Sequence, residues 1–165
     1  MPMRRMPRQR ASLSSFMALP FDIEVLVQAG VWGEVNPLIH CAIEAALSVI
    51  DQPRLGELSI VLSDDAHVQT LNRDYRDKDK ATNVLSFPVP PPAPLLGDIV
   101  LAFETLTKEA EEKGTAFEAH MMHLLIHGFL HLQGYTHEND VDATVMEALE
   151  IKALAKLGVA NPYLV

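Results

Sequence analysis

Four of the seven histidines in this chain lie within HLLIHGFLHLQGYTH, residues 123–137, where they interrupt an otherwise apolar run. Two glycines, Gly128 and Gly134, fall in the same segment. The spacing predicts a helix through the first three of these histidines. Gly134 lets the chain leave that helix, because glycine adopts backbone conformations that are closed to residues with a Cβ. The segment therefore predicts a helix and a tight turn that can bring the fourth histidine back.

The spacing of these histidines indicates a metal site. His127 and His131 are four residues apart, so on a helix their Cβ atoms lie about 5–6 Å apart on one face, where one ion can bridge both rings. After the turn, His137 can supply a third ligand. Three neutral imidazoles are typical of zinc and leave a fourth position for water, as in catalytic zinc sites. The sequence therefore predicts zinc bound by His127, His131 and His137.

A second pair, His123 and His127, has the same spacing. His123 and His131 are about 12 Å apart along a helix and cannot bind the same ion, so only one pair can be used. The glycine turn follows His131, which favours His127 and His131. His120 and His123 are then expected to support the ligands from behind or to be incidental, and histidines on a helical face can also be satisfied by hydrogen bonds alone.

Gly128 lies inside the predicted helix, where glycine costs about 1 kcal/mol relative to alanine. It is expected where another part of the molecule approaches the backbone closely.

The histidine spacing is also similar to the H-E-x-x-H-x-x-G-x-x-H motif of metzincin peptidases, which have a glutamate general base directly after the first histidine. Because this chain has Gly128 there, a metal-dependent hydrolase is favoured and a peptidase is not.

The composition fits one domain. At 165 residues with 48% hydrophobic residues, the chain is long enough to bury a core, and we expect a single domain over 21–165. No apolar run approaches the roughly 20 residues that cross a bilayer. The single cysteine, Cys41, cannot form an internal disulfide, which is typical of a reducing compartment. We therefore expect a cytoplasmic protein without a membrane partner.

Charge is distributed unevenly. Residues 1–20 contain four arginines and no acidic residue, although the whole chain has a net charge of −9. They lack the apolar segment of a secretory signal and are predicted to lie outside the domain as a flexible basic extension, with an organellar transit peptide or a start assigned too early as the alternatives. The acidic remainder argues against a surface that coats polyanions generally. Four basic residues nevertheless fall within eight positions, where a charge cluster alone favours a solvated loop but a local anion site is the alternative. This basic cluster comprises Arg73, Arg76, Lys78 and Lys80.

Strand and helix patterns alternate along the chain and then end in helices. This order favours an α+β fold with a small mixed sheet of about four strands covered by about five helices, and a zinc site on a C-terminal helix and the following turn. The predicted strands are 21–27, 57–63, 83–87 and 97–102. The predicted helices begin near Asn36, Ser63, Phe103, Thr115 and Asn139. Asn36 is the expected N-cap of the first helix because Pro37 follows it.

Three blocks of sequence resemble one protein family. HGFLHLQGYTH closely resembles the H-G-x-L-H-L-x-G-Y-D-H motif of the YbeY endoribonucleases, and LNRDYRDKDKATNVLSFP and LLGDIV resemble that family's other characteristic blocks in the same order. The likeness runs from about residue 57 to 164. One position departs from the motif: Thr136 stands where the family usually has Asp. The three histidines are intact, but a carboxylate beside the last one is missing.

The resemblance implies a zinc-dependent, single-strand-specific endoribonuclease that matures ribosomal RNA, including the 3′ end of 16S rRNA, and acts in ribosome quality control. It implies single-stranded or ribosomal RNA as the substrate, the ribosome or ribosomal proteins as partners, and no DNA. It implies zinc ligands at His127, His131 and His137 and a functional arginine at Arg76. The planar guanidinium of Arg76 would hold a phosphate as negative charge accumulates.

A non-catalytic, zinc-stabilised ribosome assembly factor is the alternative. Such a protein would bind RNA or a ribosomal protein without cutting, and the acidic body suits a basic protein partner. The sequence identifies no general acid or base. Arg76 would then be a surface residue paired with Asp74 or Asp77 and would contribute little. Metal-dependent cleavage of RNA distinguishes the two hypotheses.

Overall fold

A computed structural model describes residues 19–164, which form four strands and five helices. The strands are β1 (Ile23–Val27), β2 (Glu57–Ser63), β3 (Val84–Pro88) and β4 (Leu95–Ala102). The helices are α1 (Asn36–Val49), α2 (Asp65–Arg76), α3 (Phe103–Lys113), α4 (Phe117–Leu132) and α5 (Asp140–Lys156). Their number and order confirm the predicted α+β class.

The strands form one mixed sheet in the order β1-β2-β4-β3. Three of them, β1, β2 and β4, are parallel neighbours, whereas β3 runs antiparallel to β4. In this register Ser86 of β3 pairs with Ile99 of β4. These two residues lie where the sheet meets the helix that carries the histidines.

Both faces of the sheet are buried. In β2, Ile60 and Leu62 belong to the main core, whereas Val61 between them belongs to a second core on the opposite face, as the two-residue period of a strand requires. Helices α1, α4 and α5 contribute to the main core, and α2 covers the second. Burial on both faces explains why β2 and β4 have nearly continuous apolar sequences.

The ends of the elements lie close to those predicted, although β1 begins two residues later and β4 two residues earlier than the sequence pattern indicates. β2 has its predicted bounds, and Asp64 caps α2 by accepting a hydrogen bond from the His67 N–H at 2.9 Å. The predicted N-cap at Asn36 is wrong, because Val35 occupies that position without a side-chain capping bond. Asn36 is the first helical residue and is buried. Pro37 fits the second position equally well, since the first four N–H groups of a helix have no intrahelical acceptor.

Helix α4 is enclosed by other elements. It contacts α1, α3, α5, β3 and β4. Gly128 permits the close packing on the sheet, because a Cβ there would lie 2.9 Å from Cγ2 of Ile99 and 3.1 Å from Oγ of Ser86. The close approach predicted at Gly128 is therefore made by β3 and β4.

Arg54 ties the proline-rich loop that joins β3 to β4, residues 89–94, to the end of α4. Its guanidinium donates to the loop carbonyls of Val89 and Ala93 at 2.6 and 3.1 Å, and to the carbonyl of Leu95 at the start of β4 at 3.2 Å. The Gln133 side chain, just after α4, bonds both the N–H and the carbonyl of Arg54 at 2.8 Å. One arginine and one glutamine thus fix the loop beside the histidines.

Within residues 19–164, no helix is both long and apolar enough to cross a membrane. Leu19 already packs against the main core. The predicted basic extension, residues 1–20, lies almost entirely outside the described residues. That extension and a single domain over 21–165 therefore stay predictions.

Candidate metal centre

Three histidines converge at the C-terminal end of α4. His127 and His131 project from the last turns of the helix with their Nε2 atoms 3.1 Å apart, and His137 follows the turn. One ring nitrogen from each lies within 4.8 Å of the others. Within the part of the chain that the structure describes, this is the one group of three histidine, cysteine or carboxylate side chains so arranged. The geometry therefore assembles the three residues predicted as ligands.

The turn at Gly134 brings His137 back to the helix. Gly134 has a φ of +96°, in the left-handed region that favours glycine. Its N–H donates to the His131 carbonyl at 3.0 Å, and the Tyr135 N–H donates to the Leu130 carbonyl at 3.1 Å. These bonds satisfy carbonyls that the end of a helix leaves without partners. The predicted exit from the helix is confirmed.

The environment of His131 fixes which ring nitrogen is free. Its Nδ1 lies 3.0 Å from the backbone carbonyl of Tyr135, and a carbonyl can only accept, so Nδ1 carries the proton. Burial and the neighbouring His127 lower the pKa of His131 to about 4, so the ring is neutral at pH 7. Its Nε2 therefore presents a lone pair to the centre of the cluster.

A buried carboxylate determines which ring nitrogen of His127 carries the proton, as the Tyr135 carbonyl does for His131. Nδ1 of His127 lies 3.2 Å from Oε1 of Glu150. Burial acts to raise the pKa of Glu150, but hydrogen bonds from His123 and His127 outweigh it and lower the pKa to about 2. Glu150 is thus ionised at pH 7 and can only accept, so Nδ1 of His127 donates. Its Nε2 is then free as a ligand atom.

The donor set fits zinc. Two lone pairs that face each other at 3.1 Å repel unless a proton or a metal ion lies between them. His137 adds a third imidazole from the solvent side, since it is exposed whereas the other two are half-buried. Three imidazole nitrogens with one open direction match the ligand number of catalytic zinc sites.

Glu150 is a functional candidate that the sequence interpretation missed. It is 1% exposed although it is charged, and it lies on α5 rather than near the histidine segment. A signal was present: Met146, Ala153 and Leu154, which share its helical face, are all buried core residues. A glutamate on the apolar face of a helix needs a partner inside the protein.

The position after His127 has no space for a general base. The Cβ of any other residue at position 128 would clash with Ile99 and Ser86. The Ser86 hydroxyl also donates to the Gly128 carbonyl at 3.3 Å. A glutamate at this position, as metzincin peptidases have it, would be driven into the sheet. The sequence argument against a peptidase therefore has a steric reason.

The histidines open into a cleft of about 840 Å³. Its walls come from the end of α2, from β3, from the proline-rich loop and from the turn after α4. Arg76 lines this cleft together with the three histidines. Its guanidinium donates to the Ser86 carbonyl and lies 5.5 Å from the centre of the Phe87 ring. Asp74, a predicted alternative partner of Arg76, is paired with Arg73 at 3.2 Å instead.

Positive charge is concentrated around the cleft. Glu138 is the one carboxylate among the described residues that line it. The basic residues that line it are Arg54, Arg76, Lys78 and Lys80. Three of the four members of the basic cluster thus face the cleft on a chain whose net charge is −9. Such a local concentration favours an anionic ligand.

The other histidines of α4 have protein partners. His120 lies 2.9 Å from Oε1 of Glu109, away from the three-histidine cluster. His123 lies 2.7 Å from Oε1 of Glu150, the carboxylate that also contacts His127. At the position that departs from the sequence motif, the Thr136 hydroxyl donates to Oδ2 of Asp142 at 3.2 Å. His123 therefore shares a partner with a candidate ligand, whereas His120 belongs to a separate pair.

Comparison with known proteins gives consistent matches. The family model described as Endoribonuclease YbeY matches residues 31–158. The chain is 46% identical over 157 residues to the Endoribonuclease YbeY of Rhodopseudomonas palustris (strain BisB18), which covers 88% of this chain and 94% of that protein. It is 52% identical over 134 residues to the Endoribonuclease YbeY of Sphingopyxis alaskensis, over 74% of this chain and 80% of that one.

A solved structure has the same fold. The solution structure of TM1509 from Thermotoga maritima aligns with a TM-score of 0.55 at 22% identity, over 83% of this chain and 92% of that chain. At this identity the match supports the architecture alone. The family match begins at residue 31, upstream of the start of the likeness seen in the sequence blocks.

Proposed function

Because the chain belongs to the YbeY endoribonuclease family, we propose that it is a zinc-dependent endoribonuclease that cleaves single-stranded RNA. We propose that it acts in the maturation of ribosomal RNA, including the 3′ end of 16S rRNA. The observation that carries this proposal is the pair of Nε2 atoms of His127 and His131, 3.1 Å apart, each left as an acceptor by the partner of its Nδ1. A metal ion between the two nitrogens would satisfy both of them.

Zinc is the proposed ion and His127, His131 and His137 are its proposed ligands. The ligand type and number support zinc over the hard cations Mg²⁺ and Ca²⁺, which prefer oxygen. When bound, the ion supplies Lewis acidity, which polarises a phosphoryl oxygen and makes a neighbouring water more acidic. The protein contributes the fixed orientation of the rings.

Arg76 is proposed to bind the scissile phosphate or one next to it. It lies on the wall of the cleft that the histidines open into. Its bond to the Ser86 carbonyl uses one of five guanidinium N–H groups and holds the side chain in place. The remaining groups can donate to a phosphate as its charge increases in the transition state.

The shape and charge of the cleft support a single-stranded polyanion as substrate. Arg54, Lys78 and Lys80 line the same cleft as the proposed catalytic groups, so a backbone that reaches the metal passes basic side chains. The acidic remainder of the chain disfavours binding elsewhere. We propose the ribosome or ribosomal proteins as partners, a role in ribosome quality control, and a cytoplasmic location, as the family membership suggests.

Turnover tests the proposal. Purified protein is incubated with single-stranded RNA, with and without a zinc chelator, beside a His131→Ala variant prepared in the same way. Cleavage that requires metal and is lost in His131→Ala is expected. Cleavage that persists in the variant would come from a contaminating ribonuclease. Absent cleavage by a zinc-loaded protein that still binds RNA or ribosomes would favour the non-catalytic assembly factor.

A further inference from the structure

We propose that Glu150 and Tyr163 are positioning residues of the metal centre, and that the hydroxyl of Tyr163 holds the Glu150 carboxylate where it orients His127. This inference rests on the proposed metal centre. It joins a residue near the C-terminal end of the chain to a metal ligand through a single buried carboxylate.

Glu150 collects donors from three directions. Its Oε1 lies 2.7 Å from Nε2 of His123, 3.2 Å from Nδ1 of His127 and 3.0 Å from the Tyr163 hydroxyl. The Tyr163 hydroxyl is also 3.0 Å from Oε2. A carboxylate that is 1% exposed depends on such bonds, because burying an unpaired charge costs far more than a hydrogen bond returns.

Tyr163 reaches Glu150 from outside α5. The helix ends at Lys156, and the segment after it returns along the molecule and is held by a bond from the Tyr163 N–H to Asn161 at 2.9 Å. Burial and the nearby Glu150 carboxylate raise the pKa of the Tyr163 hydroxyl. The hydroxyl therefore keeps its proton and remains a donor. Its ring packs edge-on against His123 at 5.6 Å.

The arrangement affects metal binding because Glu150 orients the imidazole of His127. A carboxylate that accepts from Nδ1 fixes the tautomer, holds the ring plane and increases the basicity of Nε2. Removing such a supporting group typically weakens metal binding about 10–100-fold. Tyr163 acts one step further away, since it limits the positions that Glu150 can take.

A second glutamate–histidine pair, between Glu109 of α3 and His120 of α4, provides a matched control. Glu109 contacts His120 at 2.9 Å, as Glu150 contacts His123 at 2.7 Å. His120 is not a candidate ligand. Glu109→Gln therefore removes the same kind of contact from α4 without touching the proposed metal centre.

The test measures zinc affinity on the full chain by competition with a chromophoric chelator. The variants are Glu150→Gln, Tyr163→Phe, Glu109→Gln and His131→Ala. We expect Glu150→Gln to bind zinc about 10–100-fold more weakly and Tyr163→Phe to be weakened in the same direction by a smaller factor. Glu109→Gln should bind as the wild type does. Tyr163→Phe removes one oxygen from a side chain at the surface, so it remains informative if Glu150→Gln does not fold.

Imidazole ¹⁵N NMR of the metal-free protein gives a readout that a purely structural role would not change. His127 should be an Nδ1–H tautomer in the wild type, and this preference should weaken in Glu150→Gln, because a neutral amide oxygen is a weaker acceptor than a carboxylate. If His131→Ala loses zinc while Glu150→Gln and Tyr163→Phe keep wild-type affinity, this inference is overturned and the metal centre stands. If His131→Ala also binds zinc normally, the metal centre itself is overturned.

Discussion

The guanidinium of Arg76 donates to the backbone carbonyl of Ser86, and the hydroxyl of the same serine donates to the Gly128 carbonyl at 3.3 Å. Arg76 is thereby connected through one residue to the helix that carries His127 and His131. The proposed phosphate-binding group and the proposed metal ligands thus belong to one hydrogen-bonded unit, although α2 and α4 lie on opposite faces of the sheet.

Arg76→Ala should reduce RNA cleavage about 100-fold or more, the cost of removing one preorganised donor to a developing charge. Arg76→Lys should also be impaired, because lysine keeps the charge and loses the planar fork. Initial rates on a single-stranded RNA, zinc content and melting temperature are measured together. Arg73→Ala is the matched control, since Arg73 pairs with Asp74 and does not line the cleft. Wild-type cleavage by Arg76→Ala with normal zinc content would reject the catalytic role.

Elemental analysis should find about one zinc per chain in the wild type, as a three-histidine site requires. His127→Ala and His131→Ala should lose the metal, because the remaining ligands cannot hold it tightly. His67→Ala should retain it, since His67 bonds Ser63 at 2.8 Å and has no part in the cluster. Full zinc content in both ligand variants would refute the ligand assignment.

Gly128→Ala should destabilise the protein by up to about 2 kcal/mol, since overpacking costs about 1–3 kcal/mol and the gain in helix propensity returns about 1 kcal/mol. The added Cβ would meet the Ile99 methyl at 2.9 Å. Urea denaturation of the metal-free protein measures this. In an Ile99→Ala background the same change should cost less, because the opposing methyl is gone. Equal costs in the two backgrounds would show that this contact is not the cause.

The metal-free protein should lose stability in acid partly through Glu150. Its pKa falls from 4.5 to about 2 on folding, so its contribution is present above about pH 4.5 and is lost as the pH falls towards 2. Between these values the wild type should lose more unfolding free energy than Glu150→Gln does. Urea titrations at several pH values measure the difference. If the free energy of unfolding fell equally with pH in both proteins, the lowered pKa assigned to Glu150 would be contradicted.

The elements that were predicted well have local causes. Asp64 caps α2 with its own side chain, and Gly134 adopts the left-handed conformation that the end of α4 requires. The histidine cluster could be predicted because the spacing of a helix and one turn is sufficient to bring its members together. These features depend on neighbours within a few residues.

The features that were missed depend on long-range packing. Glu150 meets His127 across 23 residues of chain, and no local pattern on α5 indicates which helix it will face. The sequence pattern makes Asn36 the N-cap of α1, whereas in the structure it is the first helical residue and is buried. That burial depends on the tertiary structure and not on the neighbouring residues. Tyr163 reaches the same carboxylate from beyond the last helix. Pairings of this kind follow from how α4 and α5 pack together.

Because other elements enclose α4, deuterium exchange in this helix and release of a bound ion depend on different motions. His127 and His131 lie on a helix contacted by α1, α3, α5, β3 and β4, so we expect their backbone amides to exchange with deuterium only when the elements packed around the helix separate. His137 is exposed and lies beyond the turn, where motions take nanoseconds to microseconds. If the three histidines hold an ion, we expect the departure of His137 to govern its residence time. Exchange of one metal for another would then proceed while the deuterium content of the helix beneath it stays unchanged.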